Sequence, residues 1–532
     1  MKRAGCPLRS FRLVAFIIAV LTCLLLQEAA AADINVVSMG ADPTGVRDSR
    51  EAIQRAIDTV AAAGGGVVTF PSGSYLLNSY RKSTHPWIFY NLLVPSNVTL
   101  LGSSQTMLLQ GGSGRAPLIP GAKRVLNIVV SVGTRSFAQI TFQNPSLNGG
   151  FYSLNPTQAN DRTVTLAAAS DVARFRAGDY VAIYESTTGG VIATELSQLT
   201  SVNQSTGEVG VAFPLARGFS TPSIAQVTQL ATRHVSLQNL AVQGTIPLAV
   251  TETFDFTVSN CRFIYDGTVG GSNTIGPLDA NSVRGFHMVD SSFEPVGSVY
   301  AGMELPQRNS QDVVFENVTF KVKSAGFAEG AAHWSLTHSH FWLFPDPTVV
   351  SSITLGGLDV TFSDNDVHGG EITGGNGGGS LILDFNGAAK YLGYEGGIQI
   401  RNNVIECVAS GGYCVSVKVH DTMLSGNQIK TASAKPAIIV QSPVPQTVLI
   451  EGNTLSLGGG GYGIVLETVS PDGCVIRNNT ITGPGKAGVY VVSGPMPDAG
   501  GHTISDNTIT GFVTPVAIDM NKHPGTTVSG VQ

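Results

Sequence analysis

The sequence predicts an all-β chain folded as a right-handed parallel β-helix solenoid, with an N-terminal capping helix and a small inserted β subdomain. Three observations carry this. First, a phrase recurs near the C-terminus: Ile400-Arg-Asn-Asn403-Val-Ile405, Leu424-Ser-Gly-Asn427-Gln-Ile429, Ile450-Glu-Gly-Asn453-Thr-Leu455, Ile476-Arg-Asn-Asn479-Thr-Ile481 and Ile504-Ser-Asp-Asn507-Thr-Ile509. Its asparagines step by 24, 26, 26 and 28 residues, a period that belongs to stacked repeats. Second, each repeat holds short β-branched runs broken by Asn or Gly. One such coil cannot bury its own apolar face, so coils must stack. Third, Gly makes up 63 of 532 residues and charged residues only 13%, the composition of a large, well-buried β protein. The repeated Asn suits a tight left-handed turn, and stacked Asn side chains can bond to one another along the solenoid.

The elements follow in order. Lys2, Arg3, Arg9 and Arg12 precede an apolar run from Leu13 to Leu26, and Ala30-Ala-Ala32 offers a small-residue cleavage site before Asp33. Residues 1–32 therefore read as a signal peptide. The run is short for a membrane span. Its removal takes away those four cations and Glu28, which moves the formal net charge from −6 to −9. That balance argues against nucleic acid and anionic membrane surfaces as partners. The mature chain is expected to be secreted, extracellular or periplasmic, without a membrane association after cleavage.

Residues 33–159 read as the N-terminal cap and the first coils. Asp48 or Ser49 caps a helix with Ala52, Ile53, Ala56, Ile57 and Val60 on one face. Such a helix covers the open end of a solenoid, where the first coil would expose its core and its sheet edge. The stretch Ile34-Asn-Val-Val-Ser-Met-Gly-Ala-Asp42-Pro-Thr-Gly45, followed by Gly64-Gly-Gly-Val-Val-Thr-Phe-Pro71, resembles the N-terminal segment of the pectin-lyase-like superfamily. The similarity is to the branch that contains rhamnogalacturonases, alginate epimerases and phage tailspikes. It implies a β-helix over most of residues 33–520 and a polysaccharide groove on one sheet. It does not imply one reaction, because hydrolases, lyases, epimerases and non-catalytic members share this branch.

Residues 160–230 break the pattern. Thr163-Val-Thr-Leu, Asp179-Tyr-Val-Ala-Ile-Tyr and Glu208-Val-Gly-Val-Ala-Phe read as antiparallel strands of an inserted subdomain. From 231 to 532 the chain parses into coils that carry the groove. The first strand of each coil reads Leu248–Glu252, Ile275–Asp279, Gly302–Leu305, Gly326–Glu329, Leu381–Phe385, Val415–Asp421, Ile438–Gln441, Ile464–Glu467 and Val489–Val492. Side chains alternate across a strand. Glu304 and Asp384 therefore fall outside, as do Lys418, His420, Gln441 and Glu467. Glu252, Asp279 and Glu329 sit at strand ends, where either a strand or a turn position fits. Carboxylates one coil apart lie about 5 Å from each other, and glycoside hydrolysis uses two carboxylates at such spacings. Glu304, Glu329 and Asp384 are thus the candidate catalytic acids. Arg308, Lys418 and His420 are candidates for holding substrate charge.

Loop length narrows the location. From Val367 to Ile405 the coil spans 38 residues, against 21 to 28 for most others, so extra chain surrounds Asp384. In it Lys390 could pair with a uronate, and Tyr391 and Tyr394 could stack on sugar rings. Cys407 and Cys414 flank a short loop and could form a disulfide in an oxidising compartment. Cys261 and Cys474 are many coils apart, too far to bridge. His333, His338 and His340 lie near Trp334 and Trp342; they fit a stacked turn better than a metal site. The aspartate and histidine motifs of polygalacturonases and the Asp-Pro-His-Glu phrase of alginate epimerases are absent, since Asp346-Pro347 continues with Thr348. Three functions remain open: hydrolysis of a uronate-containing or pectin-like polysaccharide, β-elimination by a lyase, and glycan binding without catalysis. No cofactor is expected, with calcium added only for a lyase. A monomer or a homotrimer fits the exposed solenoid ends.

Overall fold

The computed structural model describes residues 32–83, 87–117, 125–133, 147–187, 190–227, 232–266, 276–297, 302–307, 310–327, 332–344, 353–369, 381–383, 396–407, 413–419, 421–442, 447–468, 473–492 and 501–532. The segment 1–31, most of the expected signal peptide, lies outside them. So do Glu329, Asp384, Arg308, Lys390, Tyr391, Tyr394 and His420.

Strands of successive coils pair in parallel along three faces. On the first face Leu126–Val132 pairs with the start of Ile246–Ser259, which pairs with Leu278–Val289, then Gly302–Gln307, Ser324–Phe327 and Ile353–Leu355. Leu381–Leu383, Val415–Val417, Ile438–Ser442 and Tyr462–Thr468 follow. These are the first strands read from the sequence, with Ile353–Leu355 added. The second face runs from Ala32–Asn35 through Gly66–Thr69, Val98–Leu101 and Thr232–Gln238 to Thr527–Ser529. The third includes Arg262–Tyr265, Ser292–Pro295, Thr319–Val322, His340–Leu343 and Asp366–Gly369. The fold is an all-β right-handed parallel β-helix. Its core is one continuous column in which like stacks on like: Phe263, Phe293, Phe320 and Phe341 follow one another with ring centroids 5.2, 5.6 and 4.6 Å apart.

The α-helix α1 (Arg50–Ala62) buries Ala52, Ile53, Ala56, Ile57 and Val60 against the first coil. Ser49 precedes it, but the capping oxygen is Asp48 Oδ1, which accepts from the Arg50 and Asn78 amides at 3.1 and 2.9 Å. Ser49 Oγ instead accepts from the Asp42 amide and ties the helix start to the preceding loop. No helix of the described residues is long and apolar enough to cross a membrane.

The turn between the second and third faces departs from the sequence reading in one detail. The recurring Asn is not the left-handed residue. The residue before it is: Asn402, Gly426, Gly452, Asn478 and Asp506 have φ of 55°, 66°, 64°, 57° and 56°. The recurring Asn403, Asn427, Asn453, Asn479 and Asn507 are buried. Each of the first four donates from Nδ2 to the next one's Oδ1 at 2.9–3.0 Å, and Asn507 ends the ladder on the Ile476 carbonyl. Asn365 extends this ladder by donating to Asn403 Oδ1 at 3.1 Å.

A separate six-stranded antiparallel sheet forms the insertion. Its strands span Leu147–Ser153 to Pro222–Val227, and its own core includes Val164, Phe175, Ile183 and Phe219. It begins earlier than Thr163, because Leu147–Ser153 pairs with Pro222–Val227. The solenoid continues across it: Val98–Leu101 pairs directly with Thr232–Gln238.

Candidate functional site on the first face

On the first face Leu278 and Ala280 belong to the core, so Asp279 between them occupies an outer position. In that outer column Ala249, Asp279, Glu304, Gly326 and Thr354 are successive lateral partners. Asp279 therefore stands directly opposite Glu304 one coil away. Asp279 is buried although it faces outward, as are its column neighbours Ser131 and Ala249. The cover thins toward Asp279, which keeps 8% of its surface exposed against 3% for Ser131 and 0% for Ala249. Farther along, the same column carries no acid, passing through Ile382, Ser416, Ile439 and Val465.

Lys418 follows Val415–Val417 and falls in a second outer column with Gln441 and Glu467. Gln441 Nε2 donates to Glu467 Oε2 at 2.6 Å. Among the described residues the acids of this face thus fall in two columns rather than one stripe. Glu252 belongs to neither. It is buried, with φ of 48°, at the bend where Ile246–Ser259 passes from the first face to the second.

The sequence from residue 307 to 509 matches the family described as right handed beta helix region. Residues 33–128 match the family described as rhamnogalacturonase A/epimerase, pectate lyase-like. The chain belongs to the pectin-lyase-like right-handed β-helix superfamily. No curated protein sequence matches it. Among solved structures it is similar to the tailspike protein gp49 of Pseudomonas phage LKA1, at 15% identity and a TM-score of 0.57, covering 94% of this chain and 83% of that one. The tailspike gp61 of Pseudomonas phage phi297 gives 14% identity and a TM-score of 0.54, covering 94% and 80%. The gp54 tailspike of Acinetobacter baumannii bacteriophage AP22, solved with A. baumannii capsular saccharide, gives 11% and 0.52, covering 94% and 77%. At these identities the likeness is one of fold.

Within this β-helix superfamily scaffold, a charged network that sequence reading did not find starts from the strand that carries Asp279, where that strand has passed onto the second face. Arg284, on the same strand as Asp279, donates from Nη1 to the Leu196 carbonyl of the inserted subdomain at 2.6 Å. Its Nε lies 2.8 Å from Asp312 Oδ2, and its guanidinium packs 4.0 Å over the Phe213 ring. Gln311 Oε1 accepts from the Leu196 amide at 3.1 Å. Asp312 Oδ1 meets His333 Nδ1 at 3.1 Å, and His333 Nε2 lies 3.7 Å from Asp359 Oδ2. Burial works against the Asp312 charge, but the hydrogen bonds from His333 and Arg284 outweigh it and hold its pKa low. The same Asp312 bond raises the His333 pKa. On the subdomain side, buried Glu195 accepts from the Ala216 and Arg217 amides at 2.9 and 3.2 Å, and burial pushes its pKa up. One signal for this network was present: His234, Asp255, Gly285, Asp312, His333 and Asp359 recur where the chain enters the second face, with φ of 52–70°, where Asn, Asp, His and Gly are favoured.

The three histidines near the tryptophans do not assemble. His333 and His338 sit in left-handed turns at opposite ends of Ala332–Thr337, while His340 faces outward from the third face. Trp334 is buried and Trp342 exposed. Among the described residues no group of three or more His, Cys, Asp or Glu is placed to hold a metal. Cys407 and Cys414 form a disulfide with Cα atoms 5.6 Å apart, and Cys261 and Cys474 are buried thiols outside it.

Proposed function

We propose that this chain is an exported, polysaccharide-active β-helix that hydrolyses glycosidic bonds on its first face, with Glu304 and Asp279 as the carboxylate pair. The observation that carries this is the register: Asp279 and Glu304 are lateral partners on adjacent coils. Neighbouring strands lie about 4.8 Å apart, close to the roughly 5–5.5 Å between the carboxyl groups of retaining glycosidases. One carboxyl protonates the departing glycosidic oxygen. The other attacks the anomeric carbon to give a glycosyl ester, which water then cleaves. Glu329 and Asp384 are further candidate acids on sequence grounds. Arg308, Lys390, Tyr391, Tyr394, Lys418 and His420 are proposed to hold the sugar chain.

Two observations support the setting. The Cys407–Cys414 disulfide suits an oxidising compartment outside the cytoplasm. The shared fold with a tailspike solved with a capsular saccharide makes a sugar polymer a reasonable ligand by analogy.

The test is to incubate the chain with plant and algal polysaccharides, following reducing ends together with the ultraviolet absorbance of unsaturated products. Reducing ends without absorbance, lost in both Glu304→Gln and Asp279→Asn while the β spectrum is retained, establish the hydrolytic pair. Rising absorbance would replace it with β-elimination and move the proposal to Lys418 and His420. Binding without product would leave a glycan-binding protein.

A further inference from the structure

The third face holds an exposed aromatic step. In one outer column Lys321, Trp342, His368, Glu406 and Lys430 are successive lateral partners. Trp342 is 44% exposed between the buried Phe341 and Leu343. A single exposed apolar side chain needs no explanation. The support beneath this one sets it apart. The indole stacks on His368 with ring centroids 4.5 Å apart and planes at 20°. His368 is held at both nitrogens, Nε2 2.9 Å from Asp366 Oδ2 and Nδ1 3.4 Å from Glu406 Oε2. Glu406 Oε1 in turn meets Lys430 Nζ at 3.3 Å, and His340 Nδ1 lies 3.6 Å from Asp366 Oδ2.

This is an amphipathic platform fixed before anything binds, so little ordering is left for a ligand to impose. A flat ring rimmed by hydrogen-bonding groups matches a pyranose, which offers a C–H face to the ring and hydroxyls to the rim. Asp366 Oδ1 and the Trp342 indole N–H take no protein partner among the described residues, which leaves both open to hydroxyls. The formal charges around the step cancel, Asp366 and Glu406 against Lys321 and Lys430, so no net cationic charge is left to recruit a uronate or sulfated sugar and a neutral one fits. We infer that the third face around Trp342 is a second polysaccharide-binding surface, for a neutral glycan, separate from the first face.

The experiment is native electrophoresis through gels containing laminarin, galactomannan, xyloglucan or, for contrast, polygalacturonate. The samples are the wild type, Trp342→Ala, Trp342→Phe and Glu304→Gln. At least one neutral polymer should retard the wild type. Trp342→Ala should weaken that interaction by about ten-fold, Trp342→Phe should keep most of it, and Glu304→Gln should keep all of it. Cleavage of short oligosaccharides should be unchanged in Trp342→Ala, so this inference and the hydrolytic one fail separately. Retardation by polygalacturonate alone, by no polymer, or equally in Trp342→Ala overturns it. So does loss of retardation in Glu304→Gln, or sedimentation showing that Trp342 mediates self-association.

Discussion

Asn402 and Asn403 are adjacent, identical in type, and do different work. Asn402 carries the left-handed turn, with φ of 55°. Asn403 is buried and serves two neighbouring coils. Its Oδ1 accepts from the Asn365 amide at 2.9 Å, and its Nδ2 donates to the Phe362 carbonyl at 2.9 Å and to Asn427 Oδ1. Asn403→Ala strips these groups of their partner in a dry interior, at about 1–3 kcal/mol for each polar group left unsatisfied. Asn402→Gly keeps a residue suited to positive φ and should stay within about 1 kcal/mol of the wild type. Urea unfolding of the two variants checks the assignment; equal losses would refute it. The sequence shows the ladder through its period, because a buried side chain bonded to its own kind tolerates little substitution. It does not show which of two neighbouring positions bends the chain, since Asn, Asp and Gly suit the turn and Asn also forms the ladder.

At the scale of elements, the junction between the inserted sheet and the solenoid is built on charge. Arg284 links the Leu196 carbonyl to Asp312, and Asp312 links Arg284 to His333. The charged groups that raise His333 are Asp312, Asp359 and Glu195. A raised histidine stabilises the folded state in its protonated form. Its contribution is therefore complete below its ordinary value of 6.5 and is lost as pH rises through the higher folded value. Asp312, held below its ordinary 3.8, contributes above that value and loses its effect as pH falls through the folded one. The junction should be tightest between these limits and loosen as pH rises through the raised His333 value. Limited proteolysis at rising pH should release the inserted sheet from the wild type, whereas His333→Gln should be equally susceptible throughout. A wild type with no pH dependence would refute this. Little of the network was legible beforehand, because Leu196 and Gln311 are 115 residues apart and no local pattern joins them. Alternation assigns Glu304 an outer position on its strand, and what the pairing adds is its register opposite Asp279. Asp279 was harder: its strand, Leu278–Val289, runs on through the bend, and the sequence read as ending there.

At the scale of the whole molecule, the solenoid is a stack in which each coil needs only its neighbours. The insertion obeys that rule. Val98–Leu101 pairs with Thr232–Gln238, and Leu126–Val132 pairs with the start of Ile246–Ser259, so the coil before the insertion rests directly on the coil after it. The two ends of the excursion also meet. Gly133 turns with φ of 78°, and a Cβ placed on it would lie 3.3 Å from Thr232 Oγ1. A short Gly-Ser linker replacing residues 134–231 therefore closes the gap at little entropic cost. The inserted sheet keeps its own hydrophobic core, so the solenoid core loses nothing by its removal. The exposed cost falls on Phe254, which packs with Ala182 and Leu196, and on the Arg284 contacts. The shortened chain is expected to retain its β circular dichroism and a cooperative unfolding transition at somewhat lower stability. It should keep most of the pH dependence assigned to His333, because Asp312 and Asp359 remain on the solenoid and only Glu195 leaves with the sheet. Failure of the shortened chain to fold would mean that the inserted sheet is part of the solenoid's structure rather than an attachment to it. Retention of fold with loss of cleavage would place the subdomain's role at the Asp279–Glu304 end of the first face.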